Sequence, residues 1–516
     1  MIRLLAHAAP PGCLDVWLGV AEQASVEPPR FTLDGEPVDP TELRPLEAVR
    51  IGAAAPPEGR ARTFTGGYRF AVEDTDEHVI TVQCGEERTE LRTRAVPTDL
   101  PEDRWFNVLL GSCYDRNMER SPNLVNRAVQ KLCQDPSTRP DVALYMGDQV
   151  YLDVPPTDVI GRFGEPGLAG ITAQFEADYT LNWMTHLGDV LSAAPFVCVP
   201  DDHEFWNNYP TQVAWLPRTL STTGRAEWEQ AARRCYLAFQ QPLQACRDDG
   251  GAPEPVVIDV GPLSIFCLDT RTWRLNDRSR CALPEHLEAL RAWSKRVHEQ
   301  ERLPVFMTGQ TLFKSAQPAL KGWLTDFELS NYGDYVDILE ALYDAGSPDR
   351  PTLCLTGDVH FGRVVQAVDD KGRPRMYEII SSPMSLCSDP RSAHQPLLSQ
   401  LFHRFFGQAW LQDNRPWPRH PRPALARPTL PVRKDGSIKL RCHQRYSHLG
   451  NHVAILGFRQ GSRKDRIQCR VGYVTLVADE RRWEPIWVGP WDLRNGVDLF
   501  GAFGSVLGQL TGGIAG

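Results

Sequence analysis

The chain has 516 residues, 42% hydrophobic and 23% charged, with a formal net charge of −9. This balance excludes a disordered or low-complexity chain and allows a large core, in more than one domain. The acidic excess argues against a nucleic-acid backbone as the main partner, so an anionic substrate would need local positive charge from metal ions or arginines.

Residues 1–100 contain short alternating runs at 30–38, 68–74 and 78–84, separated by turn signals such as Pro56 and Pro57. They read as a small all-β sandwich domain, with 97–104 as a linker. The opening residues, with one early Arg and an apolar run broken by Pro10 and Pro11, make a poor signal peptide. No stretch reaches the roughly 18 apolar residues of a membrane span. Thirteen scattered cysteines, an odd number, fit a reducing compartment better than a disulfide framework. A cytoplasmic location is the expectation.

From Trp105 the pattern becomes strands alternating with helices. Residues 105–113, 141–148, 195–204, 302–310 and 352–360 read as buried strands, and 256–271 as a hairpin. Helices are expected at 121–134, with Ser121 as N-cap and Pro122 at the first helical position, and at 175–193, 226–240, 284–300 and 335–345. Residues 363–368 and 377–382 complete a β-rich stretch. After a Pro- and Arg-rich excursion at 408–440, strands return near 452–458, 469–477 and 483–488. The apolar, Gly-rich end, 499–516, reads as a packing or partner-contact tail.

Buried strands alternating with helices predict a layered α/β fold, in which ligands bind beyond the carboxyl ends of the strands. Cys113, Asp148, Asp202 with His203, Gln310, and Asp358 with His360 all fall just past a strand end. Each motif also has a structural reading. The cysteine of GSCYD (111–115) could simply pack, the Gly-Asp turn of GDQVY (147–151) is common, and DDHE (201–204) and GDVH (357–360) could be solvated loops. Their occurrence in order, after successive strands, points instead to one shared surface. Two neighbouring cations need a bridging carboxylate and terminal ligands, and such a pair can clamp an ester phosphate and generate hydroxide. A thiolate with a phenolate suits a trivalent metal, and an all-oxygen site suits calcium or magnesium.

These motifs resemble the alkaline phosphatase D (PhoD-like) family of the calcineurin-like metallophosphoesterase superfamily, over roughly residues 105–390. The GDxxY turn resembles that of purple acid phosphatases, where the tyrosine binds ferric iron. Most superfamily members carry DxH, GDxxD, GNHE and GHxH, and GSC, DDHE and GDVH here are the PhoD-like variants. The resemblance implies a four-layer α/β/β/α sandwich at 105–490, between the N-terminal β domain (1–100) and a tail (491–516). It implies iron held by Cys113, Asp148, Tyr151 and His360, and calcium held by Asp148, Asp202 and Asp358, with Asp148 bridging. By the same likeness His203 contacts substrate and protonates the leaving oxygen, Glu204 orients its ring, and the nucleophile is a metal-activated water. Gln310 stands where many relatives place a metal-binding histidine.

Arg271 or Arg274, in a motif that also resembles PhoD-like enzymes, would neutralise phosphate oxygens; the alternative is a structural ion pair with Asp269. Residues 206–209 would line the pocket mouth. His443, His448 and His452 read as loop or pocket wall, and Trp183, Trp228 and Trp293 as core. Many PhoD-like enzymes are exported; a cytoplasmic setting would admit divalent ions other than the iron–calcium pair. The expected activity is hydrolysis of a small-molecule or lipid phosphate ester, monoester or diester. The alternatives are a phospholipase D-type phosphodiesterase, a catalytically silent scaffold and an iron redox protein. Oligomeric state is not legible.

Overall fold

Among the described residues of the first hundred positions there are eight strands: β1 (Ile2–His7), β2 (Cys13–Gln23), β3 (Arg30–Leu33), β4 (Glu36–Val38), β5 (Thr41–Ala48), β6 (Arg62–Ala71), β7 (Glu77–Cys84) and β8 (Glu87–Arg94). The computed structural model describes residues 1–23, 26–49, 62–119, 121, 123–153, 167–213, 216–247, 252–316, 327–386, 427–461 and 467–492. In β8, Leu91 and Thr93 turn inward while Glu90 and Arg92 face solvent, the alternation of a half-buried strand.

The next strands, β9 (Phe106–Gly111), β10 (Val142–Met146) and β11 (Phe196–Val199), are buried throughout. Helices α1 (Leu124–Gln134) and α2 (Gly167–Leu181) connect them, and α3 (Thr222–Phe239) follows. A second series runs β12 (Val256–Val260), β13 (Leu263–Cys267), α4 (Pro284–Glu299), β14 (Leu303–Met307), α5 (Tyr335–Ala345) and β15 (Thr352–Thr356). It continues with β16 (Gly362–Val368), β17 (Pro374–Ile380), β18 (Thr429–Pro431) and β19 (Lys439–His448). The last strands are β20 (His452–Gln460), β21 (Ile467–Thr475) and β22 (Ile486–Asp492).

The described strands form three sheets. A ten-stranded sheet has the order β22-β21-β20-β9-β10-β11-β1-β2-β6-β5, and an eight-stranded sheet the order β12-β13-β14-β15-β17-β16-β19-β18. A four-stranded sheet, β4-β3-β7-β8, involves only N-terminal strands. Strands β9, β10 and β11 are mutually parallel, as are β13, β14, β15 and β17, so each series sends its strand ends to one edge. The N-terminal strands do not stand apart from this frame. β1 runs parallel to β11, with His7 opposite Phe196, and β2, β6 and β5 extend the same sheet.

One buried cluster joins the two large sheets, with Val108, Leu144 and Val197 from the first meeting Ile265, Val305 and Leu353 from the second. A second cluster lies between the ten-stranded sheet and α1, α2 and α3, and a third includes residues of the eight-stranded sheet, α4 and α5. A fourth packs β1, β2 and β6 on β3, β7 and β8. Each fully buried Leu, Ile or Val contributes about 1.5–3 kcal/mol, so the inter-sheet cluster holds the two strand-end surfaces in place. Trp183, Trp228 and Trp293 are core residues as expected.

Some local expectations are corrected. Helix α1 starts at Leu124 with Asn123 as N-cap at φ 58°, not at Ser121; Pro122 lies outside the described residues. Helix α2 gives way to a π-helical turn at Asn182–His186, closed by Leu187 N–H to the Asn182 carbonyl at 2.7 Å. His443 and His448 lie on β19 and His452 on β20. His448 and His452 are buried, with centroids 5.3 and 5.4 Å from Tyr473, so they are not a solvent loop. Of the 408–440 excursion only its final part is described, and it contributes β18. The tail from 493 lies outside the described residues. No described helix is long and apolar enough to cross a membrane.

Candidate metal centre

The motif loops leave the carboxyl ends of the parallel strands. Cys113 follows β9, Asp148 follows β10, and Asp202 and His203 form a single turn after β11. Gln310 follows β14, and Asp358 and His360 follow β15. Glycines let these loops close on one another. Gly147 has φ +83°, and a Cβ there would lie 2.4 Å from the Cβ of Asp201; one on Gly357 would lie 2.3 Å from the Met146 carbonyl oxygen. Four of the nine described non-glycine residues with positive φ are Cys113, Asp148, Asp358 and His360. Such conformations cost of order 1–3 kcal/mol each and persist where the surroundings enforce them, commonly at functional sites.

The loops bring two donor groups together around one carboxylate. Ligand atoms of Cys113, Asp148 and His360 lie within 4.8 Å of one another, and so do those of Asp148, Asp202 and His203. The Cys113 thiol donates to Oδ2 of Asp148 at 3.3 Å and receives the Ser382 hydroxyl at 3.2 Å. The Tyr151 hydroxyl lies 3.4 Å from the same Asp148 oxygen, and its ring stacks on His203 with centroids 4.2 Å apart. Asp358 joins neither group with its carboxylate; its backbone carbonyl lies 3.9 Å from Cys113 Sγ.

Glu204 does not orient His203. Its carboxylate is fully buried and accepts from the backbone N–H groups of Asp148 (2.9 Å), Gln149 (2.7 Å) and Asp201 (2.8 Å), and from the Gln240 amide (3.1 Å). It therefore fastens the Asp148 loop to the Asp202 loop. The His203 ring is held instead by Asp153, whose Oδ1 accepts from Nδ1 at 2.7 Å while Oδ2 accepts from Asn207 N–H at 2.7 Å. Asp153 stands two residues beyond Tyr151, just past the GDQVY motif (147–151), and that nearness was the available signal.

Both arginines are buried and engaged by protein groups. Arg271 pairs through Nε with Asp201 at 2.5 Å and lies 3.9 Å from Asp202, while only its backbone N–H meets Asp269. Arg274 donates to the Gln310 side-chain oxygen at 2.7 Å, which occupies that acceptor with a cation. Trp206 and Tyr209 are packed edge to face at 4.7 Å inside the core rather than lining an open mouth, and Asn208 N–H caps Asp202 at 2.7 Å. The loop carrying Gln310 is pinned by Glu378, which accepts from Leu312 and Phe313 N–H at 2.7 and 2.9 Å and pairs with buried Arg363 at 2.6 Å.

Burial, with nearby Asp202, Asp201 and Glu204 adding to it, raises the Asp148 carboxyl well above its ordinary range. Burial likewise raises the Cys113 thiol and the Tyr151 phenol. A buried set of this kind binds protons tightly unless a cation takes their place, which is the electrostatic condition of a metal site. For His203, burial opposes the charged ring, but Asp153, Asp202 and Asp148 outweigh it and the net shift is upward. His360 is driven down to about 3, first by burial and then by His203 and Lys314, leaving a neutral imidazole suited to ligation.

The fold and its clustered donors define a layered α/β protein with a buried candidate metal centre. Residues 111–326 match the family model described as PhoD-like phosphatase, in accord with the resemblance of the motifs. A solved structure titled "Structure of PhoD" aligns with a TM-score of 0.59 at 11% identity, covering 94% of this chain and 88% of that one, and establishes the likeness of fold. The crystal structure of amylomaltase from Corynebacterium glutamicum aligns at a TM-score of only 0.15 and 11% identity, over 69% of this chain and 62% of its own, and carries no structural inference. No curated protein matches the chain.

Proposed function

We propose that the chain is a metal-dependent phosphoester hydrolase whose centre holds two cations sharing Asp148. The observation that carries this reading is the convergence of two donor groups on that one buried carboxylate. The donor chemistry fits the pair. Cys113, Tyr151 and His360 would hold a trivalent ion such as iron beside Asp148, and Asp202 with Asp148 would offer oxygens to calcium or another divalent ion. Bound cations would supply positive charge to phosphate oxygens and lower the pKa of water.

The remaining chemistry belongs to the chain itself. With Nδ1 of His203 committed to Asp153, the other ring nitrogen is the one that can carry a proton to a leaving oxygen. Glu204 keeps the two ligand loops in register, and Arg271 balances Asp201 behind them. The packing of helices on the outer faces of two stacked sheets supports a four-layer sandwich, whose ten-stranded sheet is extended by the N-terminal strands β1, β2, β6 and β5. The described cysteines are free thiols, which supports a reducing compartment.

The test is elemental analysis of protein purified without added metal, with aryl monophosphates and bis-aryl phosphates assayed on the same sample. Two ions per chain with turnover of either ester is the expected result, and their relative rates assign monoester or diester preference. Fully metallated protein inert toward the whole series would overturn the reading.

A further inference from the structure

Behind the donor groups lies a buried network that neither the motifs nor the family match accounts for. Gln240, the C-cap of α3, is fully buried. Its amide nitrogen donates to Oε1 of Gln149 at 2.7 Å and to Oε1 of Glu204 at 3.1 Å, while its oxygen accepts from the Tyr179 hydroxyl at 3.2 Å. Gln149 in turn donates to the Gly147 carbonyl at 2.7 Å, and its own backbone carbonyl accepts from Asn182 at 2.8 Å. The π-helical turn that opens at Asn182 is thus bonded to the loop bearing Asp148. One amide therefore touches both the residue that links the ligand loops and the residue that follows the shared carboxylate.

Gln240 cannot drift, because the end of α3 is fixed from the N-terminal strands. The last-turn carbonyl of Ala238 accepts from Arg44 Nη2 and from Trp17 Nε1, both at 2.8 Å, and Arg44 also donates to the Leu237 carbonyl. A cation from β5 thereby caps the negative end of the helix dipole. Phe239 stacks on Tyr179 with centroids 5.2 Å apart and leans on Trp17 at 5.7 Å.

We propose that Gln240 is a positioning residue for the metal centre: by holding Glu204 and Gln149 at once, it sets the spacing of the Asp148 and Asp202 loops and hence the affinity of the shared site. The N-terminal β layer then acts on the centre through Arg44, Trp17 and the end of α3. This rests on the metal-centre reading above, and the experiment separates the two.

Apo protein is titrated with Mn²⁺ by calorimetry, alongside its thermal unfolding, for wild type, Gln240→Met, Gln240→Glu and Tyr179→Phe. Gln240→Met keeps the volume and removes the donor; Gln240→Glu sets a second carboxylate against Glu204; Tyr179→Phe loosens the amide while keeping the ring. The expected order of Mn²⁺ affinity is wild type, Tyr179→Phe, Gln240→Met, Gln240→Glu, with Gln240→Met weaker by about tenfold or more. Its loss of turnover should be restored at saturating Mn²⁺ with little change in KM. Should Gln240→Met fail to fold, Tyr179→Phe carries the test, with a few-fold loss of affinity expected. Unchanged Mn²⁺ affinity in whichever variants fold, with only a lowered unfolding temperature, would reduce Gln240 to a structural residue. Wild type that binds no Mn²⁺ would overturn the metal centre itself, and this inference with it.

Discussion

Asp153 accepts from Nδ1 of His203 at 2.7 Å; both side chains are buried, and the His203 ring is stacked on that of Tyr151. The arrangement fixes which ring nitrogen is occupied and holds the imidazole plane. Asp153→Asn is therefore expected to lower turnover about 10–100-fold while metal content stays at the wild-type level. His203→Ala should lower it further, most for esters with poor leaving groups. The check is a leaving-group series run beside elemental analysis; loss of metal in Asp153→Asn would assign the pair to ligation instead.

Asp148→Asn removes the charge common to both donor groups. Bound metal per chain should fall and phosphoester hydrolysis should be lost, with the fold retained by circular dichroism. Retained activity with an unchanged metal count would rule out a shared carboxylate.

The Arg363–Glu378 pair is buried on both sides and secures the loop of Gln310. Arg363→Met leaves Glu378 buried without its cation and is expected to cost about 3–5 kcal/mol in denaturant unfolding. The double variant Arg363→Met/Glu378→Gln should recover part of that loss. If the single variant were as stable as wild type, the pair would have no anchoring role.

His7 sits at the β1–β11 junction, where Nδ1 accepts from the Leu243 N–H at 3.1 Å. Burial first, and Arg44 second, push its pKa down to about 3. Because the folded value lies below the unfolded one near 6.5, the unfolded chain binds more protons between them. This stability is complete above about pH 6.5 and drains away as the pH falls toward 3. Unfolding measured at pH 7.5 and pH 5 should show a difference that shrinks by about 2 kcal/mol in His7→Gln. An identical pH dependence in the two proteins would exclude His7 as the titrating group.

The alternating β/α frame was legible because parallel strands covered on both faces are continuous apolar runs, and β9, β10, β14 and β15 are such runs. The candidate donors were legible because each follows one of these strands or β11, which is buried throughout as well. What periodicity cannot carry is pairing between distant segments. Nothing in residues 1–10 announces that β1 lies beside β11, nor in 452–460 that β20 lies beside β9. Glu204 misled because its role came from the family likeness, which set it against the His203 ring. The single turn at Asp202–Glu204 aims its carboxylate at backbone amides instead. His448 and His452 were hidden by their polarity, which packing against Tyr473, stacked for His448 and edge-on for His452, makes tolerable inside the core.

The placement of β9 has a consequence for how the protein is made. This strand leads into Cys113 and is sandwiched between β10, a near neighbour in sequence, and β20, which emerges from the ribosome only after most of the polypeptide. Until β20 arrives, one rim of β9 offers unpaired backbone groups to any passing strand, a slow, long-range closure that invites aggregation. Overproduction should accordingly succeed best where translation is slow or chaperones are abundant, and ions supplied to nascent chains before that closure would meet an unfinished cradle.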